Sequence, residues 1–177
     1  MKIKIPELRL LILLLSIVLL SACGFQLRGD YGLEQRLGKT NLQLADEYSG
    51  FSRKLVRSLE RAGVELVAIE AADSIIIISK SEFTREVLSI GNDARVREFR
   101  LSLEVGFSVV AASKPGDTVD AETLVRLKPR VLKQQRDLRF DAGRALATSR
   151  ESEFLQEDMS DTLVRQFMQR LSQMDLL

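Results

Sequence analysis

The alternation of apolar and polar positions defines most of the elements of this chain. Asn41-Leu42-Gln43-Leu44 alternates and predicts a short strand. From Ser49 to Ala62 the period changes to that of a helix. Phe51, Leu55, Leu59 and Ala62 fall on one face with Val56 beside them, and Gly63 provides a stop. Arg53, Lys54, Arg57, Glu60 and Arg61 lie off that face and read as solvated surface. Val64 to Ile69 is apolar but short. Ile75-Ile76-Ile77-Ile78 opens a long strand that runs through Phe83 to Leu88, and Gly91-Asn92-Asp93 marks a turn. Phe99, Leu101, Leu103, Val105, Phe107, Val109 and Ala111 then share one face of a strand. Arg100, Ser102, Glu104 and Ser108 take the other. Lys114-Pro115-Gly116-Asp117 has turn chemistry. Val119 to Leu127 alternates again, and Pro129 makes that segment an edge strand. Thr148 and Glu151 have capping-box spacing. Leu155, Met159, Leu163, Phe167, Leu171 and Met174 form the stripe of a terminal helix. The expected fold is a two-layer α+β sandwich: a mixed or antiparallel four-stranded sheet with two helices on one face.

The N-terminus follows a different rule. Lys2, Lys4 and Arg9 precede Leu10 to Ala22, a stretch without formal charge. Thirteen residues at about 1.5 Å each fall short of a hydrocarbon core about 30 Å thick. A basic start, a short apolar run and small residues at its end read as a secretory signal. The run closes Leu20-Ser21-Ala22-Cys23, the bacterial lipobox, whose Cys receives a diacylglycerol and, after cleavage, an N-acyl chain. Several chains on one residue give stable membrane attachment where one gives marginal binding. Gly24, rather than Asp, at the next position points to the outer membrane. The expected organisation is a signal peptide over 1–22, a lipidated N-terminus and tether over 23–39, and one α+β domain over 40–177. No other cofactor is expected.

Composition excludes several classes of function. The 177 residues contain 26 basic and 25 acidic side chains, no His, no Trp and one Cys. A His-based triad, an intrachain disulfide and a Cys zinc site are therefore ruled out. The near-zero net charge excludes a strongly basic nucleic-acid binder as the overall character. Phosphate-binding Gly loops and the nucleophile elbow are absent, and no enzymatic activity is expected. Charge is uneven at one place. From Arg126 to Arg150 there are eight basic residues against Asp137 and Asp141. Arg95, Arg97 and Arg100 form a second group at the far hairpin. Arg forks suit phosphates and carboxylates; the alternative is an edge strand kept soluble by cations. For a periplasmic chain the plausible anions are lipid headgroups or lipopolysaccharide phosphates.

At Cys23-Gly24-Phe25-Gln26-Leu27-Arg28-Gly29 the chain resembles the LptE (RlpB) family of lipopolysaccharide-assembly lipoproteins. The likeness continues through the helix ending Gly63-Val64-Glu65-Leu66, the long strands, the Pro115-Gly116 turn and the last helix near Arg170-Leu171. The resemblance implies a lipid-anchored protein on the periplasmic face of the outer membrane. It would pair 1:1 with the LptD β-barrel as a plug, help it assemble, and assist delivery of lipopolysaccharide to the outer leaflet. It implies no enzyme and no nucleic-acid partner. It also places a lipopolysaccharide-contacting basic residue near Arg150, with Thr148 in the matching register. Together with charge and turn position, this gives Cys23 as the lipid attachment and Arg95, Arg97, Arg136, Arg139, Arg144 and Arg150 as lipopolysaccharide-binding candidates. The rival reading is an accessory lipoprotein, pilotin-like or an assembly adapter, that binds another protein without lipopolysaccharide. A lipid-anchored hydrolase is a third.

Overall fold

The computed structural model describes residues 32–112 and 129–174. Its elements are α1 (Leu33–Leu37), β1 (Lys39–Leu44), α2 (Gly50–Arg61), β2 (Glu65–Leu66), β3 (Ser74–Ile90), β4 (Val96–Ala111), β5 (Arg130–Arg139) and α3 (Ala145–Ser172), with short 3-10 turns before β3 and α3. One mixed sheet has the order β2-β1-β3-β4-β5. β1 lies parallel to both β2 and β3, and β3-β4-β5 is an antiparallel meander.

The α+β class and the mixed sheet match expectation; the counts of four strands and two helices do not, since α1 precedes the two longer helices. Five strands pair among the described residues, because both the short Glu65–Leu66 and Arg130–Arg139 join the sheet. β5 escapes a pattern search because only Leu132 and Leu138 of its inward positions are buried apolar residues; Gln134 and Arg136 occupy the positions between. The strand expected over Val119–Leu127 lies outside the described residues. The tether also ends earlier than expected. Leu33 and Leu37, four residues apart on α1, are buried in the core, so the folded domain begins before residue 39.

Local chemistry explains the helix ends. The Ser49 hydroxyl accepts from the Ser52 amide at 3.1 Å and starts α2. At the other end Gly63 has a φ of 78°. Its amide reaches the Glu60 carbonyl at 3.0 Å and that of Val64 reaches Leu59 at 3.1 Å, the paired bonds of a Schellman stop. α3 starts three residues before the expected cap. Asp141 takes the capping role at the preceding turn, accepting from the Gly143 amide at 2.9 Å. Thr148 sits inside the first helical turn and donates to the Arg144 carbonyl at 3.3 Å.

The core lies between the sheet and α2 with α3. Leu101, Leu103, Val105, Phe107 and Val109 of β4 face it, as their alternation requires. Phe167 of α3 packs edge-on against Phe107 of the sheet at 4.8 Å and Phe51 of α2 at 6.4 Å, joining all three elements. On the opposite face, Ser102 and Ser108 of β4 are buried rather than solvated. An ionic ladder crosses that face further along: Lys80 pairs with Glu82 and Glu104, and Arg100 with Asp137. The Lys80 hydrogen bond and charge hold the Glu104 carboxyl below its ordinary range. The bonds to Glu82 and Glu104 raise the Lys80 ammonium in turn.

Candidate functional site

The β3-β4 hairpin turns through Gly91–Arg95, with the Gly91 amide on the Arg95 carbonyl at 2.7 Å and Ala94 in the left-handed region. Asp93 organises the turn. Its carboxylate accepts from Arg97 at 2.8 Å and lies 3.9 Å from Arg95 Nε. Register shifts at Val87/Ser89 and Ser89/Ile90 place irregularities in both strands just before the turn, which reorients side chains there. Gly91 allows the Arg97 guanidinium to lie against the backbone; a Cβ at that position would stand 2.6 Å from Arg97 Nε.

Because β5 runs antiparallel to β4, its C-terminal end arrives at this same turn. Glu98 stands opposite Arg139, and the Phe140 amide donates to the Arg97 carbonyl at 2.8 Å. Glu98 accepts from Ser89 Oγ at 2.8 Å and reaches Arg139 Nε at 4.0 Å. The Arg139 side chain is 95% exposed. Arg144, at the entry to α3, lies 4.0 Å from Asp141. An aromatic pair, Phe99 edge-on to Phe140 at 5.4 Å, ties the strand ends together, and the Arg85 guanidinium sits 3.6 Å over the Phe99 ring.

The structure therefore corrects the expected separation of the two basic groups. Arg95 and Arg97 are not at a tip of their own; they share one end of the sheet with Arg139 and Arg144. Arg136 is set apart. It faces the helical layer in register with Leu101 and pairs with Asp158 of α3 at 3.3 Å. Arg150 lies on the exposed surface of the first turns of α3, and no oppositely charged side chain is within ion-pair distance among the described residues. Cys23 lies outside the described residues.

Sequence reasoning missed the apolar half of this end. Val87 (51% exposed), Leu88 (39%) and Ile90 (63%) lie on β3 just before the turn, and Leu146 (84%) follows Arg144 on α3. The signal was present as Val87, Leu88 and Ile90 in an otherwise polar stretch of β3, but only pairing register brings them beside Arg97 and Arg139. Four arginines with Arg85 behind them face Asp93, Glu98 and Asp141, leaving an excess of cations beside apolar side chains. This arrangement suits an amphiphile with anionic groups near its hydrocarbon, since Arg forks hold phosphates and exposed apolar groups gain from burial. Among the described residues no group of three His, Cys, Asp or Glu could hold a metal ion, and no helix is long and apolar enough to cross a membrane.

Residues 39–171 match the family described as LptE: Lipopolysaccharide-assembly. The chain belongs to the LptE family. The matched span runs from the first residue of β1 into the last turn of α3, and so includes the whole described sheet and both long helices. The LPS-assembly lipoprotein LptE of Photorhabdus laumondii is 26% identical over 166 residues, covering 92% of this chain and 85% of that protein. Two solved structures share the LptE-like fold. Rare lipoprotein B of Shewanella oneidensis superposes with a TM-score of 0.61 at 25% identity, covering 77% of this chain and 95% of that one. A lipoprotein B of Nitrosomonas europaea gives 0.64 at 25% identity, covering 84% and 90%. LptE is a family of lipopolysaccharide-assembly lipoproteins rather than of enzymes.

Proposed function

We propose that this LptE-family chain is an outer-membrane lipoprotein anchored through Cys23, that it plugs the LptD β-barrel and helps it assemble, and that it assists insertion of lipopolysaccharide into the outer leaflet. The observation that carries the lipopolysaccharide contact is the gathering of Arg95, Arg97, Arg139 and Arg144 with Leu88 and Ile90 at one end of the sheet. Lipopolysaccharide presents phosphates close to acyl chains, and this end offers partners for both. Arg150 flanks the patch from α3. Arg136 stands apart from the patch in its ion pair with Asp158.

The plug role is supported by family membership and by the exposed charged ladder on the sheet face away from the helices, since porin-type barrel interiors are polar. The acyl chains on Cys23 would keep the domain at the membrane and make barrel contact effectively intramolecular. The test is a pull-down of the tagged mature lipoprotein from outer membranes in mild detergent, with partners identified by mass. A stoichiometric LptD-sized barrel is expected, and it should be retained when the four tip arginines are changed to Ala. An intact, outer-membrane protein without a barrel partner would refute the plug role and favour the accessory-lipoprotein reading.

A further inference from the structure

A second site lies on the helical layer, away from the arginine tip. A cleft of about 530 Å³ opens between the N-terminal half of α2 and the middle of α3, lined in part by Tyr48, Arg53, Arg57, Glu153, Glu157 and Ser160. At about 1.5 Å per residue, Glu153 is about 13 Å along α3 from Arg144. The two walls carry opposite charges. Arg53 and Arg57 stand one helical turn apart on α2, and Glu153 and Glu157 one turn apart on α3. Lys54, between the walls, is already committed: it pairs with Asp161 at 2.8 Å and donates to the Glu157 carbonyl at 3.0 Å. Arg53 donates to the Tyr48 carbonyl at 2.6 Å, which fixes its guanidinium at the mouth. Among the described residues no ion pair joins Arg53 or Arg57 to Glu153 or Glu157. The two rows face the cleft without neutralising each other directly.

We propose that this cleft binds a small zwitterion of the phosphoethanolamine class, with its anion on Arg57 and Arg53 and its primary ammonium on Glu153 and Glu157. The two walls together favour a ligand that carries both signs of charge over one that carries a single sign. A pure anion meets the two glutamates, and a pure cation meets the two arginines. A ligand with both charges satisfies both walls through charge-assisted hydrogen bonds. The same chemistry occurs in a free amino-phosphate and in a lipid headgroup.

The test is an amide-resolved NMR titration of the mature chain with O-phosphoethanolamine, with glycerol 3-phosphate and with ethanolamine. O-Phosphoethanolamine should shift residues 48–57 and 153–160 with a Kd of about 1 mM, and each half-ligand should bind about tenfold more weakly or not at all. Arg57 and Glu153 are both exposed, so Arg57→Gln and Glu153→Gln retain the fold, and each should weaken binding about tenfold. Equal binding of either half-ligand, unchanged binding in both variants, or no shift at about 20 mM would overturn the proposal. Vesicles of phosphatidylethanolamine in phosphatidylcholine, compared with phosphatidylcholine alone, distinguish the source. Shifts in the same residues only with the former assign a lipid headgroup; shifts with the soluble compound but not the vesicles assign a free ligand.

Discussion

Replacing Phe167 with Ala tests how the domain is held together. Phe167 is fully buried and touches the sheet through Phe107 and α2 through Phe51. Truncating a buried Phe costs about 3–5 kcal/mol, transfer and cavity terms together. Each edge-to-face contact adds about 0.5–1.5 kcal/mol beyond buried area, so the site belongs near the upper end of that range. Phe167→Leu keeps most of the apolar volume and loses the two ring contacts, for about 1–2 kcal/mol. A domain of this size has about 5–15 kcal/mol in all, so the Ala variant loses at least about a fifth of that stability. Urea unfolding of the mature chain, followed by circular dichroism, gives both values, with the slope unchanged if unfolding remains two-state. An Ala variant within about 1 kcal/mol of the parent, or a Leu variant as costly as Ala, would refute the claim that this residue joins both helices to the sheet.

Other expectations follow from the same structure. Ser49→Ala removes the acceptor for the Ser52 amide and should cost about 1 kcal/mol in the same urea assay, with Ser49→Asp recovering most of it. Gly63→Ala forces a Cβ onto a residue at φ 78° and should cost about 1 kcal/mol, where substitution to Asn costs less. The Glu104 carboxyl is held low by its bond to Lys80, so its stabilising effect is complete above the ordinary Glu range and lost as pH falls through the lowered folded value. Urea midpoints measured from about pH 7 to pH 2 should therefore fall less steeply in Lys80→Met than in the parent; parallel curves would contradict the ladder.

Much of the fold is legible in the chain because its signals are local. Ser49 and Gly63 bracket α2, and the alternation from Phe99 to Val109 survives because every inward position of β4 meets the core. β5 is illegible for a physical reason. Its inward Arg136 is stabilised by Asp158, a partner on another element, so the position reads as surface. Leu33 and Leu37 carried helical spacing, but the glycines around them masked it. The candidate site divides the same way. Its arginines stand out as a charge excess in the sequence, whereas their convergence depends on the Glu98–Arg139 register and the turn at Gly91. The exposed Leu88 and Ile90 acquire meaning only once that register brings the β3-β4 turn and the end of β5 together.

The most direct test of the account is lipopolysaccharide binding by the mature chain and by the variant with Arg95, Arg97, Arg139 and Arg144 all changed to Ala. Exposed ionic contacts contribute roughly 0.5–1 kcal/mol each, and the change also leaves Asp93, Glu98 and Asp141 unneutralised at the tip. Affinity should fall about thirtyfold or more, with the urea midpoint little changed. A variant that binds lipopolysaccharide as tightly as the parent would contradict the assignment of this end of the sheet as the lipopolysaccharide contact.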